Sequence, residues 1–211
     1  MAILWQINPR WSETLAAAGL DTFAAAFAYT TPEPLSRKSH SLTHCAPLPD
    51  GGTAFVKQDL WTGWRPVARA LLRLSRPLPA VGRERRNMLR LSKLGFHTPE
   101  IAAYGECRRF ALPHQGVMIT APAPGRPVDR IFRDTTLSAA LREEAVAAAL
   151  AVLAQLQQHG CNWGKDCKPE HFFYSSEKQI TLIDVERMHF QRRPLSAELC
   201  RKQLDRFRSL L

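Results

Sequence analysis

No apolar run in this 211-residue sequence is long enough to cross a bilayer. The longest, residues 145–156 apart from Gln155, falls short of the roughly 18–20 residues a span requires and is rich in alanine rather than leucine. It reads as a buried helix of a soluble domain. Residues 1–11 lack the charged start, apolar core and small-residue cleavage site of a secretory signal, so export is not expected. Cysteine is sparse and odd in number: Cys45, Cys107, Cys161, Cys167 and Cys200, with no CxxC pair. Reduced thiols in the cytosol are the expectation. Acidic residues are few, 19 against 29 Lys and Arg, and the formal charge of +10 draws anions at long range. Nucleic acid, an acidic membrane, a nucleotide or a phosphorylated glycan all meet that description. Nucleic acid is disfavoured, because the aromatic residues do not alternate with the basic ones as a stacking platform requires. Internal repeats and low-complexity tracts are absent, and a 45% hydrophobic content suits one good-sized core or two small lobes.

What is present reads as a run of short elements. Residues 12–29 are helix-like, with Ser12 able to cap, Gly19 a stop and Asp21 a second start. An irregular stretch with two prolines follows. Residues 39–57 then read as strand, turn and strand, with Asp50, Gly51 and Gly52 supplying the turn chemistry and Lys57 closing the second strand. Residues 83–94 carry Met88, Leu91 and Leu94 at helical spacing and are closed by Gly95. Two apolar runs, IAAYGEC and GVMITAP, form another antiparallel pair. The Pro/Gly-rich residues 121–129 are the expected linker between lobes. Past it, Thr136 or Ser138 opens a long helix that Gly160 ends. HFFYS and QITLID are short strands, and residues 196–211 form a final amphipathic helix with Cys200, Leu204, Phe207 and Leu211 on one face.

The chemistry concentrates in GCNWGKDCKPEHFFYSSEKQITLIDVER, residues 160–187. Asp166 lies in a loop, His171 follows, and an apolar strand ends in Asp184. Phosphoryl transfer to a hydroxyl needs a carboxylate near the acceptor and oxygen ligands for the magnesium that bridges the ATP phosphates. Two acids at the ends of a short hairpin meet both needs. Two rival motifs are weaker. The G-x-x-x-G-K of residues 160–165 is one residue short of a P-loop and is followed by Asp166 rather than Ser or Thr. His159, Cys161, Cys167 and His171 form a compact cluster, but their spacing matches no common zinc site. The arginines at 65, 69, 73, 76, 83, 85, 86 and 90 read either as a solvated helix face or as a patch for phosphorylated sugar or anionic membrane.

The chain resembles the eukaryotic-type protein kinase superfamily. Asp166, Lys168, Pro169 and His171 are similar to the catalytic-loop pattern D-x-K-P-x-N, and Ile183-Asp184-Val185-Glu186 is similar to the metal-binding D-F-G position. The resemblance is closer to the bacterial lipopolysaccharide core kinases, which phosphorylate heptose or Kdo sugars and often carry histidine at the asparagine position. Phe55-Val56-Lys57 then matches the V-A-I-K lysine, and Glu84 falls where its partner glutamate belongs. The resemblance covers residues 39–187. It implies an α+β, protein-kinase-like bilobal fold with a small antiparallel-sheet N-lobe and a truncated, mainly helical C-lobe. The implied boundaries are 1–38 for a helical extension, 39–122 for the N-lobe and 123–211 for the C-lobe.

By the same resemblance, ATP and Mg²⁺, or Mn²⁺, are the implied cofactors, and the core glycan is the acceptor. Lys57 contacts the α- and β-phosphates and is oriented by Glu84. Asp184 holds the metal, Asp166 orients and deprotonates a sugar hydroxyl, and Lys168 steadies the transferring phosphoryl group. His171 is a weak metal ligand or a hydrogen-bonding strut. Departures from the pattern mark where this chain must differ. Gly164 and Lys165 stand at the His and Arg of H-R-D, no G-x-G-x-x-G precedes Lys57, and no A-P-E follows Asp184. A platform for peptide substrates is therefore not expected. The implied place of work is the cytosol, at the inner face of the cytoplasmic membrane. A pseudokinase scaffold, or a kinase with a soluble small-molecule or protein acceptor, is the alternative.

Overall fold

A computed structural model describes all residues, 1–211. The chain divides into two compact units, each assembled from two stretches of sequence: Met1–Arg86 with Glu100–Pro122, and Asn87–Pro99 with Ala123–Leu211. The first break falls inside one helix. No helix is long and apolar enough to cross a membrane.

The first unit is built on an antiparallel sheet. Its strands are β1 (Ala2–Ile7), β2 (Ser36–Lys38), β3 (Ser41–Pro47), β4 (Thr53–Asp59), β5 (Ile101–Arg109) and β6 (Leu112–Thr120), in the spatial order β1-β5-β6-β4-β3-β2. The β3–β4 hairpin turns where the sequence predicts. Asp50 accepts the Gly52 amide at 2.9 Å, and Gly51 takes φ 81°, a left-handed conformation that costs glycine little. Along β4 Ala54, Val56 and Gln58 are buried while Phe55 and Lys57 are less so. Period-two alternation thus sends Lys57 to the face opposite the core.

That core lies under two short helices, α1 (Ser12–Ala17) and α2 (Phe23–Ala28). Leu15, Leu20, Phe23 and Ala26 pack with Val56, Ala103, Val117 and Ile119 of the sheet. Gln58 ties the helices down through one side-chain amide that donates to the carbonyls of Ala26, Phe27 and Tyr29 at 3.0, 3.1 and 2.8 Å. Strand β1 is not announced by the sequence, where residues 1–38 read as helical; it pairs with β5 from Ala2↔Arg108 to Ile7↔Ala103. Helix α3 (Trp64–Leu72) is a second unannounced element. Helix α4 (Ala80–Lys93) begins before the predicted residue 83, and Val81, Glu84, Met88 and Leu91 are among its buried positions, at helical spacing.

The second unit is mainly helical. Its strands β7 (Arg126–Pro127), β9 (Phe172–Tyr174) and β10 (Ile180–Leu182) form a small sheet, and β8 (Cys161–Asn162) pairs with β11 (His189–Phe190). Helix α5 (Val128–Arg133) follows Pro127 directly. Helix α6 (Ala139–Gln158) is capped by Ser138, whose Oγ accepts the Leu141 amide at 3.2 Å, and it buries Ala145, Ala149, Leu153 and Leu156 along one face. Helix α7 (Ala197–Arg208) is capped by Ser196 and sets Phe207 edge-on to Phe172, ring centres 5.2 Å apart. Gly125 precedes β7 with φ 89°, and a Cβ there would lie 2.1 Å from the Tyr174 carbonyl oxygen, so only glycine lets the chain pass.

Candidate active site

In the first unit, Lys57 leaves the middle of β4 and meets Glu84 of α4, with Nζ 2.5 Å from Oε1. Glu84 is buried, whereas the lysine side chain keeps about a quarter of its surface open. A buried carboxylate is costly without a charged partner, so this glutamate depends on the ammonium and fixes where it points. The ion pair foreseen from the sequence is formed.

The second unit gathers Asp166, Lys168, His171 and Asp184 on one turn-rich segment. Residues 164–166 and 169–171 are single turns of 3₁₀ helix, and β9 and β10 lead from His171 towards Asp184. The Nδ1 of His171 lies 2.8 Å from the Asp166 carbonyl oxygen. A carbonyl only accepts, so Nδ1 carries the proton and Nε2 keeps its lone pair on the other side of the ring. There it stands 3.6 Å from Asp184 Oδ2 and 3.5 Å from Glu170 Oε1. His171 thus braces the loop through Nδ1 and sets Nε2 beside the Asp184 carboxylate. Asp184 takes φ 52°, a region side chains with a Cβ rarely enter but Asp tolerates better than most. Asp166 Oδ2 lies 3.6 Å from Arg187 Nη1, and Lys168 Nζ lies 3.0 Å from Glu170 Oε1.

Two further residues hold this segment, and neither was found from the sequence. Trp163, buried beside His171 and Phe172, donates its indole N–H to the Asp184 carbonyl at 3.3 Å, while its own backbone N–H donates to Gln203 at 3.1 Å. It links the loop to Asp184 where Gly164, standing at the H-R-D histidine position, has no side chain to do so. Asn87 donates its side-chain amide to the carbonyls of Val185, Glu186 and Met188 at 2.8, 3.2 and 3.0 Å. Only the aromatic beside Gly164 left a trace in the sequence; the partners of Asn87 are backbone atoms, which no residue pattern reveals.

The residues fit a nucleotide-borne divalent ion better than a resident one. No group of three or more His, Cys, Asp and Glu is arranged to hold a metal alone, so phosphate oxygens and water must complete any shell. Asp184 offers oxygen and His171 a nitrogen, a mixed pair that suits Mn²⁺ more than oxygen-seeking Mg²⁺. The zinc reading falls away with the same observation. All five cysteines are free thiols, and burial pushes Cys161 up to about 11 and Cys167 up to about 12.

Comparison with known proteins follows the same line. The pattern described as "Lipopolysaccharide kinase (Kdo/WaaP) family" matches residues 50–208. The solved structure of WaaP in complex with acyl carrier protein superposes with TM-score 0.66 at 20% identity, covering 99% of this chain and 80% of that one. The pseudokinase domain of BIR2, an immune regulator of the RLK/Pelle family, gives TM-score 0.42 at 13% identity, covering 81% of this chain and 46% of that one. No curated protein sequence matches the chain. The fold is α+β and protein-kinase-like, with an antiparallel sheet in one unit and a mainly helical second unit.

Proposed function

Because the chain belongs to the lipopolysaccharide kinase (Kdo/WaaP) family and is therefore a kinase of lipopolysaccharide, we propose that it moves the γ-phosphoryl group of ATP to a hydroxyl of an inner-core heptose or Kdo. The observation that carries the nucleotide half of this reading is the Lys57–Glu84 ion pair. A lysine on the outer face of a strand is ordinarily a solvated residue; one held by a buried glutamate is a cation aimed at something. The triphosphate is that partner, and Lys57 binds its α- and β-phosphates.

Asp166 accepts the proton of the sugar hydroxyl as its oxygen bonds to the γ-phosphorus, and the bridging oxygen departs with ADP. Lys168 exchanges Glu170 for the oxygens of the transferring group and balances their charge. Asp184 and His171 would hold the divalent ion; when bound, it neutralises charge between the β- and γ-phosphates. Trp163 and Asn87 position the Asp184 segment without touching substrate. We place the reaction in the cytosol, where ATP is, at the inner face of the cytoplasmic membrane, where a lipid-borne acceptor is presented. The net charge of +10 supports that placement.

Two measurements test the reading. Core oligosaccharide from cells with and without the protein is compared by mass spectrometry; a lost phosphate names the sugar, and identical spectra overturn the acceptor. With purified protein, Asp166→Ala should lower transfer by about 10²-fold or more while nucleotide still binds. Asp184→Ala should weaken metal-dependent nucleotide binding itself. Wild-type turnover in both variants would overturn the roles.

A further inference from the structure

Between Asp59 and Glu84 there is no acidic residue, but there are arginines at 65, 69, 73, 76 and 83. Helix α3 lies inside this stretch. At 100° per residue, Trp64, Val67, Ala68 and Leu71 form one strip and Arg65, Arg69 and Arg73 occupy the opposite side. An apolar strip of this kind normally faces a core. Here none of the nine residues is buried: Trp64 is 73% exposed and Leu71 52%, and Leu72 and Leu74 next to them are 86% and 98% exposed. Trp61, just ahead of the helix, is half exposed as well.

A nine-residue helix does not hold itself together in water, so something must fix its ends. Both are tied to the β5–β6 hairpin. The Thr62 amide donates to the His114 carbonyl at 2.8 Å; Arg76 binds Glu106 at 2.6 Å, and Arg108 donates to the Pro77 carbonyl at 3.0 Å. Glu106 is buried; desolvation opposes its charge, yet bonds from Arg108 and the nearby Arg76 outweigh it and leave its carboxyl below the usual range. The excursion is thus rooted firmly and carries an uncovered strip outward.

We propose that α3 is a membrane-docking helix that lies in the plane of an anionic phospholipid surface. Trp64, Leu71, Leu72 and Leu74 enter the boundary between headgroups and acyl chains, and Arg65, Arg69 and Arg73 bind lipid phosphates. Charge selects the partner, since an acid-free arginine set meets an anionic surface without repulsion. Shape selects it too. A projecting strip of side chains of unequal length needs a matching groove on a protein, whereas a fluid bilayer accommodates it, and tryptophans and arginines are the residues that settle at that boundary. The inference deepens the proposed placement at the membrane and rests on it.

The full chain is sedimented with vesicles of phosphatidylcholine alone and of phosphatidylcholine mixed with phosphatidylglycerol. Binding is expected to the mixed vesicles only. It should fall about tenfold or more in Trp64→Ser/Leu71→Ser and in Arg65→Gln/Arg69→Gln/Arg73→Gln, each arginine near the surface contributing about fivefold. These exposed substitutions should leave the thermal midpoint, and transfer to delipidated core oligosaccharide, unchanged. Arg192→Gln/Arg193→Gln/Arg201→Gln is the control. If it weakens binding as much as the α3 arginines do, the helix loses its role while the membrane reading stands. If wild-type protein ignores both vesicles, both readings fall. If an acidic protein such as acyl carrier protein binds α3 and vesicles do not, the partner is a protein and the proposal is overturned.

Discussion

Asn87 shows how much a single side chain can secure when its partners are backbone atoms. Two amide hydrogens serve three carbonyls that follow Asp184, and that of Val185 also accepts the Met188 amide at 3.1 Å. Asn87→Leu keeps the volume and removes all three bonds. Removing a donor from buried carbonyls costs about 1–3 kcal/mol, so a loss of that order in urea unfolding is expected; an unchanged midpoint would remove the clamp. The thiols make a second residue-scale prediction. Burial holds Cys161 and Cys167 neutral up to about 11 and 12, against an ordinary value near 9. Their raised folded values mean that the unfolded chain loses thiol protons first. The stability they contribute is complete below about pH 9 and declines as pH rises towards 12. A thiol reagent at neutral pH should therefore reach half-exposed Cys45 and Cys200 well before Cys107, Cys161 and Cys167, and Cys167→Ala should flatten the alkaline decline.

Among the elements, those with strong end signals were legible in the sequence and those without were not. Ser138 and Gly160 bracket α6, Asp50 to Gly52 turn β3 into β4, and Gly95 closes the helix that carries Glu84; each signal acts within a few residues of the chain it shapes. Strand β1 has no such signal, because what makes it a strand is β5, about a hundred residues away. Helix α3 was hidden by its own composition, an arginine-rich segment with Pro66 in its first turn. Within the candidate site, residues that pair through side chains, such as Lys57 with Glu84, left a spacing to be read; Trp163 and Asn87 bind carbonyls and left none. Gly125 supplies the element-scale test. Gly125→Ala must take a left-handed conformation costing about 1–2 kcal/mol and also push a Cβ into the Tyr174 carbonyl. Its midpoint should fall by more than that strain alone, with β7 lifted from β9 and faster amide exchange at Tyr174. Wild-type stability would show that the backbone can yield there.

At the scale of the whole molecule, a charge of +10 acts on any anion before contact. The association rate of a fluorescent ATP analogue should fall as ionic strength rises from about 0.01 M to about 0.15 M, where the screening length contracts from about 30 Å to about 8 Å. The dissociation rate should change far less; a salt-independent association rate would mean that the charge lies away from the approach path. The way the sequence is shared between its two compact units reaches further, into how the protein is made. The first unit cannot seat β1 until β5 has been synthesised, and by then the ribosome has already delivered residues 87–99, which belong to the second. No single cut releases either unit whole. Strand β1 therefore waits with an open edge until β5 follows it, and a pause or truncation before residue 109 leaves a sticky nascent strand for chaperones to shield.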